Sequence, residues 1–319
     1  MELSLVIPIY NEEENLPLLL EAVNAAMNPM KRSWEVIFVD DGSRDKSLEI
    51  LRSFSQQEPG CVRVISFRRN FGQTAAIAAG LDHAKGDIII LLDADMQNDP
   101  ADIPLLLAKL DEGYDLVSGW RKDRKDNRIT RTLPSNIANG LISWVTGVRL
   151  HDYGCTLKAY RREALEGFHL YGEMHRFIPV FARSIGARIT ELPVRHHARK
   201  FGVANYGLER TMKVVLDLVT VKFLLSYSNK PMHLFGGSGA FLMLLGGLDL
   251  FYLFVRRTFL GVPASTSPLL MIGVMLIIMG FQAILMGLIA ELLARTYHES
   301  QQKPTYTVRE LLNLDPRER

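Results

Sequence analysis

The chain has 319 residues, of which 48% are apolar and 23% are charged, and its formal net charge is +2. This length suits one large domain or two ordinary ones, and the composition is that of a globular protein. Two cysteines, Cys61 and Cys155, are too few for a disulfide framework or a zinc cluster, so we expect two buried thiols in a reducing compartment. The near-neutral charge argues neither for nor against nucleic acid, and we predict no nucleic-acid partner.

Short apolar strands alternate with helical segments between residues 3 and 119. The predicted strands are LSLVIPI, WEVIFVD, VRVISF, DIIILLD and DLVSG, and the predicted helices between them are ENLPLLLEAVNAAM, SRDKSLEILRSFSQQ, QTAAIAAGLDHA and PADIPLLLAKL. Continuously apolar strands that alternate with helices are typical of a mainly parallel sheet covered on both faces. The fold class is therefore predicted to be α/β.

The next part of the chain is more polar. We predict a basic loop over residues 121–132, a helix near 135–146, a strand in DYGCTLKAY, a helix near 174–185, a strand in ARITELPVRHH and a basic loop in ARKFGVANYG. Residues 208–230 follow, and their pattern predicts an amphipathic helix that rests in the membrane interface. The alternative is an ordinary helix that covers the sheet.

Two apolar stretches near the C-terminus, Met232–Val255 and Pro268–Ala294, are each long enough to cross a membrane. A short linker makes them a hairpin over residues 231–296, and buried core helices are the alternative. Their glycines favour close helix packing and a homo-oligomer. The two stretches predict a multi-pass protein of the inner (plasma) membrane. The start of the chain is acidic and does not resemble a signal peptide, so we expect the first part of the chain to stay in the cytosol. The catalytic domain and the tail, residues 297–319, would be cytosolic.

Carboxylates follow two of the predicted strands. Asp40 and Asp41 end the second strand, and Asp93 and Asp95 follow the fourth. The carboxyl ends of parallel strands share one edge of a sheet, where ligands bind. Two neighbouring carboxylates repel each other unless a cation is bound, and oxygen ligands favour Mg²⁺ or Mn²⁺.

Two further residues lie close behind this pair. Gln97 would supply one more oxygen ligand to the ion. Asp99, directly before Pro100, is most simply the N-cap of the next helix.

Five stretches of the sequence resemble glycosyltransferase family 2: VIPIYNEE, VIFVDDGSRDKS, RNFGQTAAIAAGL, GDIIILLDADMQNDP and DYGCTLKAYRR. Within that family they are most similar to the polyprenyl-phosphate hexosyltransferases, and the hairpin is similar to that of the bacterial undecaprenyl-phosphate glucosyltransferases. The resemblance implies a GT-A-type nucleotide-sugar-binding domain over residues 1–207, a divalent metal and an inverting transfer.

The resemblance also assigns residues to roles. The nucleoside would be bound by Pro8, Tyr10, Glu12, Asp40 and Asp41, and the metal by Asp93, Asp95 and Gln97. Asp93, Asp95, Asp152, Arg121 and Arg131 would form the catalytic set, and Asp152 has a structural hydrogen-bonding role as its alternative. The acceptor phosphate would be bound by Arg131, Ser135, Arg199 and Lys200.

The implied reaction transfers a hexose, glucose from UDP-glucose in the first instance, to undecaprenyl phosphate at the cytosolic membrane face. Mannose, an aminoarabinose derivative or N-acetylhexosamine are alternative sugars. A processive polysaccharide synthase is disfavoured because the chain lacks a Q-x-x-R-W motif. The remaining alternative is a membrane scaffold on a degenerate transferase fold.

Overall fold

The computed structural model describes most of the chain, namely residues 1–122, 133–165, 170, 174–198, 218, 231–263, 267–300 and 308–314. Several predicted features lie outside the described residues: Arg131, Arg199, Lys200 and, apart from Leu218, the amphipathic helix predicted over 208–230. The side chain of Ser135 also lies outside them. The chain divides into two compact units. The first is Met1–Val219 with Pro304–Arg319, and the second is Thr220–Lys303.

The first unit is built on one sheet. Its strands in the described part of the chain are β1 (Leu3–Ile9), β2 (Trp34–Asp40), β3 (Val62–Phe67), β4 (Ile88–Leu91), β5 (Leu116–Trp120), β6 (Lys158–Arg161), β7 (Ile189–Pro193) and β8 (Val308–Leu312). Their order across the sheet is β7-β5-β6-β4-β1-β2-β3-β8. The central strands β4, β1, β2 and β3 are parallel, as is the pair β5 and β7, whereas β6 and β8 run antiparallel to their neighbours. The predicted α/β class with a mainly parallel sheet is confirmed.

Helices connect these strands. They are α1 (Leu16–Met27), α2 (Ser47–Gln57), α3 (Gln73–His83), α4 (Ile103–Asp111), α5 (Leu133–Thr146) and α6 (Ile178–Ser184). Successive residues of β1 such as Leu5 and Val6 are both fully buried, because both faces of the sheet are covered. This is why the central strands β1, β2 and β4 are mainly apolar rather than alternating.

The predicted strand DYGCTLKAY is shorter than expected, since only Lys158–Arg161 forms the antiparallel strand β6. The residues before it form a loop, in which the carboxylate of Asp152 accepts a hydrogen bond from the backbone N–H of Gly154 at 3.1 Å. A side chain that binds nearby backbone groups competes with strand pairing. Because β6 runs antiparallel to β4, this loop lies at the edge of the sheet where β4 ends.

The second unit contains two long helices, α7 (Pro231–Leu260) and α8 (Pro268–Ser300). Both are long and apolar enough to cross a membrane. Only 17% and 11% of the residues in their most apolar stretches are buried, which disfavours the alternative that they are core helices. The helices approach closely at glycines. A Cβ atom built on Gly239 would lie 2.5 Å from the carbonyl oxygen of Gly280, and one on Gly246 would lie 2.7 Å from that of Gly273. Small residues at such crossings let the two backbones pack in lipid.

The tail beyond the hairpin returns to the sheet of the first unit, a strand that the sequence did not predict. Strand β8 pairs with the edge strand β3, and Glu310 accepts a hydrogen bond at 2.6 Å from Arg52 of α2. Asn313 then donates from Nδ2 to the carbonyl oxygens of Ser55 at 2.8 Å and Val62 at 2.9 Å. The strand covers an edge that would otherwise expose unpaired backbone groups.

We expect the substitution Asn313→Ala to destabilise the first unit by about 1 kcal/mol, because two hydrogen bonds are lost. Alanine is also strained at the φ of 59° that Asn313 adopts. Thermal unfolding of the purified full chain in detergent measures the effect. A melting temperature unchanged from that of the native chain would show that the tail does not stabilise the sheet.

Candidate active site

The loop after β4 carries the predicted metal ligands. Asp93 and Asp95 follow the end of β4 at Leu91, and the loop turns at Met96, whose φ is 58°. The side chain of Asp95 is buried and accepts a hydrogen bond from the backbone N–H of Gln97 at 3.1 Å. This turn keeps both carboxylates at the edge of the sheet.

Asp99 has a separate role. Its carboxylate accepts a hydrogen bond from the backbone N–H of Ala101 at 2.9 Å and caps the 3-10 turn Pro100–Asp102. The N-cap prediction is confirmed. Burial acts to raise the pKa of Asp99, but the bonds from Ala101 and His197 outweigh it and the pKa is lowered.

The electrostatics of the carboxylate pair favour a cation. Burial and, second, the charge of Asp95 raise the pKa of Asp93 to about 6. Thr156, Arg121 and Lys158 act in the opposite direction without cancelling these effects. In the part of the chain that the structure describes, no group of three or more His, Cys, Asp or Glu residues could hold a metal. Two carboxylates with raised charge repulsion suit a divalent cation, and an ion held here would need further oxygen ligands from outside this pair.

Arg121 and Asp152 form a buried ion pair beside these carboxylates. Nε and Nη2 of Arg121 bind Oδ2 and Oδ1 of Asp152 at 2.7 and 3.0 Å, and Asp152 is 3% exposed. Burial alone would lower the pKa of Arg121, but the charge of Asp152 outweighs it and the pKa is raised. Both oxygens of Asp152 are thus engaged, which favours its alternative role: it orients Arg121 rather than acting as a base.

The proposed nucleoside residues lie on two loops that are hydrogen-bonded to each other. After β1, the backbone N–H of Asn11 donates to Ser43 Oγ at 3.0 Å, and that of Glu12 donates to Ser47 Oγ at 2.9 Å. Tyr10 is exposed, as a side chain that contacts a ligand must be. Pro8 is the last but one residue of β1, half-buried at the same edge.

Asp40 and Asp41 are both buried and engaged by neighbours. Asp40 accepts hydrogen bonds from Ser66 Oγ at 2.9 Å and from the N–H of Ser43 at 3.0 Å. Asp41 accepts from the N–H groups of Phe71 at 2.6 Å and Gly72 at 2.9 Å. Burial is the main cause that raises the pKa of Asp41 to about 6. The two carboxylates thus shape the loops around the predicted nucleoside site.

The chain segment before Arg199 and Lys200 is hydrogen-bonded to the loop after β4. The N–H of His197 donates to the carbonyl oxygen of Gln97 at 2.9 Å, and Asn98 and His196 form an antiparallel bridge. The root of the predicted acceptor loop is thus hydrogen-bonded to the loop that carries Asp95.

Three residues near the carboxylate pair were missed from the sequence. Gln73, the first residue of α3, donates from Nε2 to Asp93 Oδ1 at 2.8 Å, and Thr156 hydrogen-bonds to Asp93 from the loop before β6. Lys158 is 3% exposed, and burial lowers its pKa. A lysine within the predicted strand DYGCTLKAY was the available signal for the third residue.

We expect Asp152→Ala to lower stability by about 3 kcal/mol or more, because Arg121 would keep a buried charge without its partner. The matched control is Asp111→Ala, which removes a surface pair with Arg32 and should cost about 1 kcal/mol or less. Melting temperatures of both variants in detergent test this difference. Equal small losses would contradict a structural role for Asp152.

We expect Gly42→Ala to weaken binding of a nucleoside diphosphate by roughly tenfold or more, because alanine would be strained at this position and would clash with the backbone of Arg69. Gly42 has a φ of 69°, and a Cβ atom would lie 2.5 Å from the backbone carbon of Arg69. Gly60→Ala is the control, since nothing lies within 4 Å of its Cβ position. Calorimetric titration with UDP and Mn²⁺ measures both. Equal affinities in the two variants would rule out this constraint.

Comparisons with known proteins identify the family of this chain. Residues 4–168 match the model of glycosyl transferase family 2. The chain is 46% identical over 316 residues to a dodecaprenyl-phosphate galacturonate synthase of Rhizobium johnstonii, covering 98% of this chain and 94% of the relative. It is 39% identical over 313 residues to an undecaprenyl-phosphate 4-deoxy-4-formamido-L-arabinose transferase of Salmonella paratyphi A, with the same coverage of 98% and 94%.

A solved structure shares the fold of the first unit. It is the glucosyl-3-phosphoglycerate synthase of Mycobacterium tuberculosis in complex with Mn²⁺, UDP and phosphoglyceric acid, with a TM-score of 0.54 and 21% identity. The match covers 70% of this chain and 78% of that chain. Because the family model matches residues 4–168 and the first unit has a GT-A fold, the chain belongs to glycosyl transferase family 2.

Proposed function

We propose that this protein transfers a sugar from a nucleoside diphosphate sugar to a polyprenyl phosphate lipid. The observation that carries the proposal is the Asp93–Asp95 pair beside the Arg121–Asp152 ion pair, in a chain with two helices long enough to cross a membrane. The names of the two relatives support a polyprenyl phosphate acceptor. A scaffold without catalysis would have no need for two carboxylates that repel each other, with Asp95 buried and Asp93 half-buried.

The proposed metal site uses Asp93, Asp95 and Gln97. A bound Mg²⁺ or Mn²⁺ would neutralise charge on the departing nucleoside diphosphate. Arg121, held in one orientation by Asp152, would place a fixed positive charge beside the same phosphates. Arg131, Ser135, Arg199 and Lys200 are proposed to bind the acceptor phosphate.

The acceptor explains why a strong base is unnecessary. A phosphate monoester is already largely ionised near neutral pH, so its oxygen can attack without losing a proton to the protein. Attack from the face opposite the leaving diphosphate inverts the anomeric centre, and an α-linked donor gives a β-linked lipid product. The engagement of Asp152 by Arg121 and Gly154 agrees with this reaction.

The sugar is the finer part of the proposal. The sequence resemblance favours glucose from UDP-glucose, with mannose, aminoarabinose and N-acetylhexosamine as its alternatives. The relative at 46% identity is named for galacturonate, which adds a hexuronate to these four candidates.

We also propose the inner (plasma) membrane as the location, with the first unit cytosolic. The chain enters α7 from this unit and returns to it after α8, because β8 belongs to the same sheet. Both ends of the hairpin therefore lie on one side of the membrane. A homo-oligomer remains part of the proposal: Gly237 and Gly247 have open space at their Cβ positions, which a second copy of the chain could fill.

We expect Asp95→Asn to reduce sugar transfer to undecaprenyl phosphate at least a hundredfold in the presence of Mn²⁺, because the ion would lose a charged ligand. Asp99→Asn is the control, since asparagine also caps helical turns. Both variants are assayed by radiolabelled lipid product from UDP-sugars, with and without Mn²⁺.

Full activity of Asp95→Asn, or a reaction indifferent to chelation of the metal, would overturn the metal site. No lipid product from the native chain with any of the four sugar classes or a hexuronate would overturn the transferase proposal itself.

A further inference from the structure

The carboxylate of Asp93 is held from two sides by uncharged donors. Nε2 of Gln73 donates to Oδ1 of Asp93 at 2.8 Å, and the side chain of Thr156 also hydrogen-bonds to this carboxylate. Gln73 is the first residue of α3, whereas Thr156 lies in the loop before β6. Two donors from different parts of the fold fix the orientation of the carboxylate, and its roughly four lone-pair sites leave room for an ion.

Two neighbouring cations form their hydrogen bonds elsewhere. Arg121 binds both oxygens of Asp152, and Nζ of Lys158 donates to backbone carbonyl oxygens. Their charges act on Asp93 only through space, and its direct hydrogen-bond partners among the described residues are the two neutral side chains. A neutral donor orients a carboxylate without cancelling its charge, so the charge of Asp93 stays available to a cation.

The backbone that carries Gln73 is itself held in place. The carboxylate of Asp41 accepts hydrogen bonds from the N–H groups of Phe71, at 2.6 Å, and Gly72, at 2.9 Å. Gly72 has a φ of 96°, which glycine adopts without strain, and the chain turns into α3 there. The amide of Gln73 therefore reaches Asp93 from a fixed point of the fold.

We propose that Gln73 and Thr156 are positioning residues that orient Asp93 toward the divalent ion. The inference rests on the proposed function, because it requires an ion at Asp93 and Asp95, and it adds two residues to that site. Neither residue needs to contact the ion or the substrate. A hydrogen-bond partner of a metal ligand sets the direction of the ligand's lone pairs, and its loss typically weakens a metal site roughly ten- to a hundredfold.

The experiment measures how strongly the metal tightens nucleotide binding. UDP is titrated calorimetrically into the purified full chain in detergent, once with Mn²⁺ at a fixed concentration below saturation and once with a chelator. The ratio of the Kd with chelator to the Kd with Mn²⁺ reports how well the ion is held. We expect Gln73→Met and Thr156→Val each to lower this ratio roughly tenfold, toward one, and to leave the Kd with chelator unchanged. Thr156→Val removes only a hydroxyl, so it keeps the measurement decisive if Gln73→Met fails to fold.

Gln57→Met is the matched control. Gln57 donates from Nε2 to Ser53 Oγ at 2.8 Å on the exposed surface of α2, so the same substitution removes a glutamine hydrogen bond away from the site. It should leave both dissociation constants unchanged. A loosened loop would weaken UDP binding as much with chelator as with Mn²⁺, and that result for Gln73→Met and Thr156→Val would overturn the positioning role.

A double-substitution cycle shows whether Gln73 acts through Asp93. In a chain that carries Asp93→Ala, adding Gln73→Met should cause no further loss of the ratio, because the carboxylate that Gln73 orients is absent. A loss of the same size in both backgrounds would show that Gln73 contacts the ion or the diphosphate itself, which overturns the inference.

Two further outcomes separate this inference from the proposed function. An unchanged ratio in Gln73→Met and Thr156→Val, beside metal-dependent sugar transfer by the native chain, would overturn the positioning role and leave the proposed function intact. A native chain whose affinity for UDP does not respond to Mn²⁺ would overturn the positioning role together with the metal site.

Discussion

The cost of burying negative charge at one edge of the sheet governs the arrangement of the site. Asp40, Asp41 and Asp152 are bound within the protein by serine groups, backbone N–H groups and the guanidinium of Arg121, respectively. Asp93 also accepts hydrogen bonds, from Gln73 and Thr156, yet burial and the charge of Asp95 keep its pKa raised. A cation bound at this pair would offset the repulsion between the two carboxylates.

The topology of the sheet decides which residues share that edge. Strands β1, β2 and β4 are parallel, so their carboxyl ends bring together the loops that carry Tyr10, Asp41 and Asp93. Strand β6 is antiparallel to β4, so the residues that precede β6 lie at the same edge. This reversal places Asp152 and Thr156 beside Asp93.

The two long helices α7 and α8 are an insertion between two parts of one sheet. The pairing of β8 with β3 closes the chain onto the first unit after α8. Asn313 and Glu310 secure this strand to α2 and β3. The tail therefore completes the sheet of the first unit, although the tail lies far from β3 in the sequence.

The sequence by itself determined the elements whose signal is local. Apolar runs and turn residues located β1, β2 and β3 at their observed bounds, and the apolar stretches located both long helices. The motif around Asp93, Asp95 and Gln97 could be recognised because its residues are adjacent, and so could the cap formed by Asp99.

Only the tertiary structure decided the contacts between distant segments. The Arg121–Asp152 pair joins residues 31 positions apart, and β8 pairs the C-terminal segment with β3. Neither has a local pattern: a basic residue near a loop and a short apolar stretch in a tail fit many structures equally well. The burial of Lys158 and Tyr160 is likewise invisible in the sequence, since it depends on which segments cover β6.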